Sequence, residues 1–369
     1  MAWYHLSGHL VLFRQRRKIA AMKHLLKSKG ALLLLLTILW LGLIGASLAM
    51  GSVPISISEV IRNCLSDSSA HSGEYATHAY ILMQVRLPRI LLCTLTGISL
   101  GVSGCVMQNL FRNPLASPYT LGVSSGASFG AALAMILGVG LFSRNFLFTG
   151  YSLVAVNAFL FGVLSLVSVC AVAHFSRNNM STLILLGTAI SSLFSAGVSV
   201  LKYISGAEAL KNLEMWLMGG FWGANWKAIA LLSPMVFVGI VILLKLSWDF
   251  NAMNAGEETA STMGVNVRLI KTVSLILVTL ISSVTIAFAG VIGFVGLVAP
   301  HIARSLLGVD NRALIPGSCL VGAIMLLLSD TIARTVLLPK EIPVGIITSL
   351  IGVPFFIFIL LRKKKQMWG

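Results

Sequence analysis

Ten apolar runs, each near the length of a bilayer crossing, occupy this chain almost from end to end. They fall at about residues 31–50, 88–110, 118–140, 150–174, 182–202, 228–246, 272–292, 293–309, 314–334 and 343–361. A helix needs about 20 apolar residues to cross the hydrocarbon core. Inside lipid only helices and closed barrels satisfy every backbone polar group. Unbroken apolar runs, rather than short alternating strands, select the helical solution. The expectation is an all-α, polytopic membrane protein with ten transmembrane helices in a tightly packed bundle.

Charge supports that reading and orients it. Hydrophobic residues make up 57% of the chain and charged residues 10%, against about 25% charged in ordinary globular domains. A formal charge of +16 raises the question of nucleic acid. The basic residues, however, gather at the two ends and in short loops, which is a topological pattern and not a phosphate-binding face. With both termini inside and ten spans, the inner side holds eighteen of the 27 Lys and Arg residues. They are seven in 1–30, Arg112, Arg177, three in 245–271, two in 304–312 and four in 362–365. Acidic residues run the other way, with Asp249, Glu257, Glu258 and Asp310 inside. An excess of Lys and Arg on cytoplasmic loops is the positive-inside rule. An odd number of spans would put a basic terminus outside. The chain therefore divides into a basic cytoplasmic extension (1–30), a ten-helix membrane domain (31–361, with 247–271 as a long inner loop) and a basic cytoplasmic tail (362–369).

Two boundaries carry alternatives. The basic N-terminus followed by an apolar run and Ala46-Ser47-Leu48-Ala49 has the outline of a signal peptide, but a run of this length is read as a retained first helix. Met22-Lys23-His24 would make a sensible start, which leaves open whether residues 1–21 belong to the natural product. Residues 272–309 form one long apolar run, and a re-entry turn is expected near Gly290 and Gly293, where glycine relieves backbone strain.

Residues 85–126 are the most informative stretch. Arg86 and Arg89 bracket Pro88, a small-residue-rich span follows, and the polar turn Phe111-Arg112-Asn113-Pro114-Leu115 closes it. Pro88 suits the first turn of a helix. Gly97, Gly101, Gly122, Gly126 and Gly130, with serines 99, 103, 124, 125 and 128 among them, suit close helix packing in a bilayer. A minority of these hydroxyls remains available to line a polar route. The inner loop 247–271 is the second such region. Asn254-Ala255-Gly256-Glu257 has capping-box spacing, and Gly264-Val265 suits a left-handed helix stop. The helix between them is about two turns long, too short to stand alone in water. An ordinary solvated loop is the alternative.

Taken together, VRLPR, GCVMQNLFRNPLASPYTLGVSSGASFG, Trp216-Leu217-Met218-Gly219-Gly220, GFVGLVAPHIAR, and LLSDTIAR followed by EIPVGIITSLIGVPFF resemble one family across residues 31–361. It is the FecCD-type permease family of ABC importers for iron-siderophores, haem and vitamin B12. The resemblance implies a ten-helix type II importer subunit like the vitamin B12 permeases. It also implies a second permease subunit (homo- or heterodimer), two ABC ATPase subunits beneath, and a periplasmic or lipid-anchored substrate-binding protein outside. The expected location is the bacterial cytoplasmic (inner) membrane.

Carried over by matching position, the resemblance implies that Arg86, Arg89 and Arg334 receive acidic groups of the binding protein. Bidentate guanidinium–carboxylate pairing is the chemistry, and interfacial snorkelling is the competing use. Glu257, Glu258, Ala260 and Gly264 would belong to the coupling helix that enters the ATPase. Asn113, Leu115, Ser181 and Thr182 would form a cytoplasmic gate, made more apolar by Leu183. The cargo expected is a ferric siderophore, with haem or cobalamin as the alternatives.

The chain itself is not expected to be an enzyme or to hold a cofactor or metal. It has no GxxxxGK[ST] phosphate loop. Its five cysteines show no CxxC or Cys/His ligand spacing. His301, beside Pro300, reads as a hydrogen-bonded packing residue. A stand-alone secondary transporter usually needs an ionisable group within the membrane. Here the one acidic residue in the spans is Asp330, close to the outer edge and expected to pair with Arg334.

Overall fold

A computed structural model describes residues 28–51, 53, 55, 74–139, 151–174 and 180–367. The readings made for residues 1–27, Cys64, His71 and Arg177, and those for the Ser181 side chain and the charged side chains of the tail, lie outside it. Among the described residues every element is helical. In chain order they are α1 (Lys29–Ala49), α2 (Glu74–Tyr80), α3 (Leu87–Leu110), α4 (Val123–Ala132), α5 (Tyr151–His174), α6 (Met180–Ile204), α7 (Ala207–Leu217) and α8 (Trp226–Lys245). There follow α9 (Ser247–Asn254), α10 (Glu257–Thr262), α11 (Val267–Ala289), α12 (Val295–Leu307), α13 (Asn311–Thr335) and α14 (Val344–Met367). Seven described helices are long and apolar enough to cross a membrane, and Val123–Leu137, Val295–Leu307 and Val344–Phe358 are shorter apolar helices. Each of these helices overlaps one of the ten apolar runs, with Thr77–Leu110 starting eleven residues before the run at 88–110.

The centre of the bundle is α3, which packs along α13 and is flanked by α11 and α12. Its glycines make that approach possible. A Cβ on Gly97 would fall on the backbone of Gly322, one on Gly101 on the Ser318 carbonyl, and one on Gly104 on Gly296. A second group joins α4, α5 and α6, with Gly126 and Gly130 set against the Phe161 and Asn157 backbone. Small residues at helix interfaces are how membrane bundles gain packing without a hydrophobic driving force. Ser99, Ser103 and Ser128 are buried in these contacts.

Several local expectations change. Arg86 and Pro88 do not open a helix. The chain is already helical from Glu74, and Ile81–Arg86 forms a widened π turn before α3. Leu87 N–H donates to Leu82 O, so the same register would pair Pro88, which has no N–H, with Met83 O. The indole Nε1 of Trp226 donates to that carbonyl instead, at 3.1 Å. Nor is Asn254 a helix cap: it closes α9, and Gly256, at φ 132°, precedes α10 without a side-chain cap bond. The 247–271 loop thus holds two short helices where one was expected. Amphipathic α7 has too many charges to register as an apolar run.

The re-entry turn falls where the glycines placed it. After α11, Gly290 takes φ 70° and Phe294 φ 67°, and α12 begins at Val295. A Cβ on Gly290 would strike the Trp216 carbonyl, so this position needs glycine on two counts.

Candidate functional site

The candidate residues collect toward the two ends of α3. From Arg86 to Leu110 the helix rises about 36 Å at 1.5 Å per residue, enough to carry both ends beyond the hydrocarbon layer.

At the N-terminal end Arg86, Arg89 and Arg334 come together, and all three are buried. Asp330, at 0% exposure, sits between two of them: Arg89 reaches it at 2.9 Å and Arg334, one turn further along α13, at 3.0 Å. The expected Asp330–Arg334 pair is present, and Arg89 shares its carboxylate. Arg89 also donates to both oxygens of Glu341, at 2.8 and 3.1 Å. Arg86 donates to the Leu48 and Ala49 carbonyls at the end of α1 and to the Val53 carbonyl just beyond it. Arg334 donates to Ser47 Oγ at 2.7 Å. These guanidiniums fasten α1, α3, α13 and the turn before α14. Burial of a charge is tolerable only with such partners.

At the other end, the turn after α3 is held from two sides. Arg112 adopts φ 46°, uncommon for a residue with a Cβ, and its Nη2 donates to Met253 O in α9 at 2.6 Å. Nε2 of His301 lies 3.2 Å from Pro114 O, so His301 is a hydrogen-bonded packing residue as expected. Asn113 Oδ1 accepts from Leu115 N–H at 2.9 Å, an Asx turn, while Leu115 itself stands 42% exposed. Thr182 is half-buried at the start of α6 and Leu183 is buried. No hydrogen bond joins Asn113 or Leu115 to Thr182. Instead α6 meets this region through Gly187, packed on the Thr120 carbonyl.

Beside the turn lie α9 and α10. Ala260 is fully buried. Gly264, at φ 86°, ends α10 in a Schellman motif: Gly264 N–H donates to Ser261 O and Val265 N–H to Ala260 O, both at 3.0 Å. Glu257 pairs with Lys271 at 2.6 Å and Glu258 is exposed. Trp248 (65%) and Met263 (67%) are apolar and exposed on the same segment. Asp310, which caps α13, receives Lys29 at 3.2 Å, Arg312 at 2.9 Å and Asn251 at 2.8 Å. The Arg312 and Asn251 hydrogen bonds hold its carboxyl well below the usual carboxylate range.

Between these ends, a cavity of about 680 Å³ opens among the end of α7, the 290–294 turn and α14, lined by Leu217, Met218, Val291, Ile346, Leu350 and Val353. It is almost wholly apolar. A row of hydroxyls not singled out in the sequence, Thr188, Ser192, Ser195 and Ser199, lies on the exposed face of α6. Its spacing of three to four residues was the legible signal. No group of three His, Cys, Asp or Glu side chains suited to a metal ion occurs among the described residues.

Comparison with known proteins agrees with the motifs. The model of the FecCD transport family matches residues 35–362. The hemin transport system permease protein HmuU of Yersinia pestis is 38% identical over 340 residues, covering 92% of this chain and 97% of that protein. The molybdate import system permease protein MolB of Haemophilus influenzae is 37% identical over 320 residues, 86% of this chain and 92% of its own. The cobalamin import system permease protein BtuC of Halobacterium salinarum is 39% identical over 293 residues, 79% and 76% of the two chains. A solved metal-chelate type ABC transporter in an inward-facing conformation superposes with a TM-score of 0.77 at 34% identity, covering 90% of this chain and 99% of that one. Spans, glycine-packed core and motifs thus lead to one assignment: this multi-pass membrane chain belongs to the FecCD transport family and is the permease subunit of a type II ABC importer, with ATP hydrolysis on a separate subunit.

Proposed function

We propose that this permease imports a ferric siderophore across the bacterial cytoplasmic membrane. It crosses the membrane ten times with both termini inside and pairs with a second permease subunit, a copy of itself or a close relative. Two ABC ATPase subunits bind at the α9–α10 end. A periplasmic or lipid-anchored binding protein docks at the end that carries Arg86, Arg89 and Arg334. The observation that carries this reading is the α9–α10 segment. A helix of six residues, anchored by fully buried Ala260 and stopped by Gly264, exposes Glu258 on a segment that also exposes Trp248 and Met263. So short a helix is stable only when packed, and an apolar patch rimmed by charge is the surface of a protein contact.

The conduit runs from the arginine end to the Asn113, Leu115, Ser181 and Thr182 gate, past the hydroxyl row of α6. Polar faces on membrane helices turn toward a neighbour or a water-filled path and not toward lipid. Acidic groups of the binding protein reach Arg89 by displacing Glu341, the more exposed of its two carboxylate partners.

A second reading, haem as cargo, is favoured by one observation: a hemin permease aligns over 92% of this chain. Uptake of radiolabelled ferrioxamine, haemin and cyanocobalamin by a deletion strain carrying this gene decides among them. Ferrioxamine accumulation that stops with ATP depletion is expected. Accumulation of haemin alone would replace the siderophore reading. Replacing Ala260 by Trp should release the ATPase from the purified complex while membrane insertion persists.

A further inference from the structure

The α9–α10 segment is bonded to the core of the bundle by a chain of three amides, with Asn311 buried and Asn251 and Asn109 half-buried. Asn251, on α9, donates through Nδ2 to Asp310 Oδ1 at 2.8 Å. Its Oδ1 accepts from Asn311 N–H at 2.9 Å and from Asn311 Nδ2 at 3.0 Å. Asn311, the first residue of α13, is fully buried. Its own Oδ1 accepts from Asn109 Nδ2, in the last turn of α3, at 2.7 Å. Asn109 Nδ2 also donates to Cys105 O at 3.0 Å. One uninterrupted path therefore runs Asn251–Asn311–Asn109, from α9 through α13 into α3.

We propose that Asn251 is the positioning residue that converts displacement of the α9–α10 segment into movement of α3 and its 111–115 turn, by way of Asn311 and Asn109. The proposal rests on reading α9–α10 as the ATPase contact. Hydrogen bonds tolerate only a few tenths of an ångström before they weaken, and a buried amide that loses its partner is left unsatisfied at a large cost. α9 therefore either carries the start of α13 with it or breaks three hydrogen bonds. Two turns along α13 from Asn311, α13 and α3 are in backbone contact at Gly101 and Ser318, which limits the slack between them. Arg112, bonded to Met253 O, ties the far end of α9 to the same turn. With Asn251 and Met253 both held, the C-terminal half of α9 and the turn move as one piece.

The test uses the purified permease–ATPase complex and a maleimide reagent, so no cargo is required. A reporter, Leu115→Cys, is introduced in a background with Cys64→Ser and Cys170→Ser; the other three cysteines are buried. Its labelling rate is compared in the nucleotide-free and vanadate-trapped states. In the parent the rate should change between states. Asn251→Ala should shrink that change about fivefold or more, the lower bound of typical site-to-site couplings, while vanadate trapping and ATPase retention persist. Asn109→Ala, on a different helix, should do the same, and the double variant should be no worse than either. Asn251→Gln should restore part of the response.

Should Asn251→Ala prove too unstable to purify, Asn109→Ala alone carries the test. A full-sized labelling response in that variant, or additive losses in the double variant, would overturn the proposal. Ready trapping with no nucleotide-dependent labelling in the parent would overturn it from the side of the gate. If instead Ala260→Trp leaves the ATPase bound in full yield, the reading of α9–α10 as the contact is what fails.

Discussion

Gly97 on α3 and Gly322 on α13 face each other so closely that a Cβ on either would collide with the carbonyl of the other. Neither backbone can retreat, because Gly101 repeats the contact with α13 one turn further on, at Ser318, and Gly104 beyond it is packed on Gly296 of α12. Gly322→Val should therefore lower stability by at least ~1–3 kcal/mol, the usual size of an overpacking penalty. Gly45→Ala, where nothing lies within 4 Å, should be neutral or slightly stabilising, since Gly is the poorer helix former. Thermal melts of the two purified variants in one detergent would separate these outcomes.

Asp330 is shared by two buried arginines, Arg89 and Arg334. Asp330→Asn removes the only carboxylate among the described residues that pairs with Arg334 and should cost about 3–5 kcal/mol, as for one partner lost from a buried ion pair. Glu341→Gln should cost about 1 kcal/mol or less, because that carboxylate is partly exposed and resembles a surface pair. Equal losses in the two variants, measured by denaturant midpoint, would show that Asp330 is not the hub.

At Gly264 the constraint is conformational. Its φ of 86° lies in the left-handed region, and there is open space where a Cβ would sit. Gly264→Ala should weaken the α10 stop by about 1–2 kcal/mol, and Gly264→Asn by less, since Asn visits that region more readily. Yield of co-purified ATPase should follow the order Gly, Asn, Ala.

The Asp310 cluster titrates in a predictable direction. Its carboxyl is held below the usual carboxylate range, chiefly by hydrogen bonds from Arg312 and Asn251. A lowered folded-state value means that this stabilisation is complete above the usual carboxylate range and is lost as pH falls toward the lowered value. Acidification through that window should loosen the contacts with Lys29 and Asn251. Asp310→Asn should reduce stability at neutral pH and flatten the acid limb of the stability profile between the usual and the lowered value.

Much of the candidate site was legible because its signals are local. Gly264 with Val265 marks a helix stop through backbone conformation, and Gly290 marks re-entry for the same reason. Asp330 and Arg334 are one helical turn apart, so their pairing follows from the helix period. The capping spacing at Asn254 misled because a second short helix, α9, occupies the residues before it. Its polar, irregular sequence has no periodicity to betray it. α7 went unnoticed because its charged residues Glu208, Lys211 and Glu214 break the apolar pattern.

By itself, the sequence determined roughly where the apolar segments lie, which family the chain belongs to, and that the chain turns back at Gly290 and stops a helix at Gly264. Each of these depends on residues close together in the chain, through hydrophobicity, periodicity or backbone sterics. Only the tertiary structure decided that Arg89 meets Asp330 across 241 residues and that Asn109 meets Asn311 across 202. Such pairings depend on which helices lie side by side. That is settled by glycine-to-backbone contacts spread over the whole bundle, and no single segment encodes them.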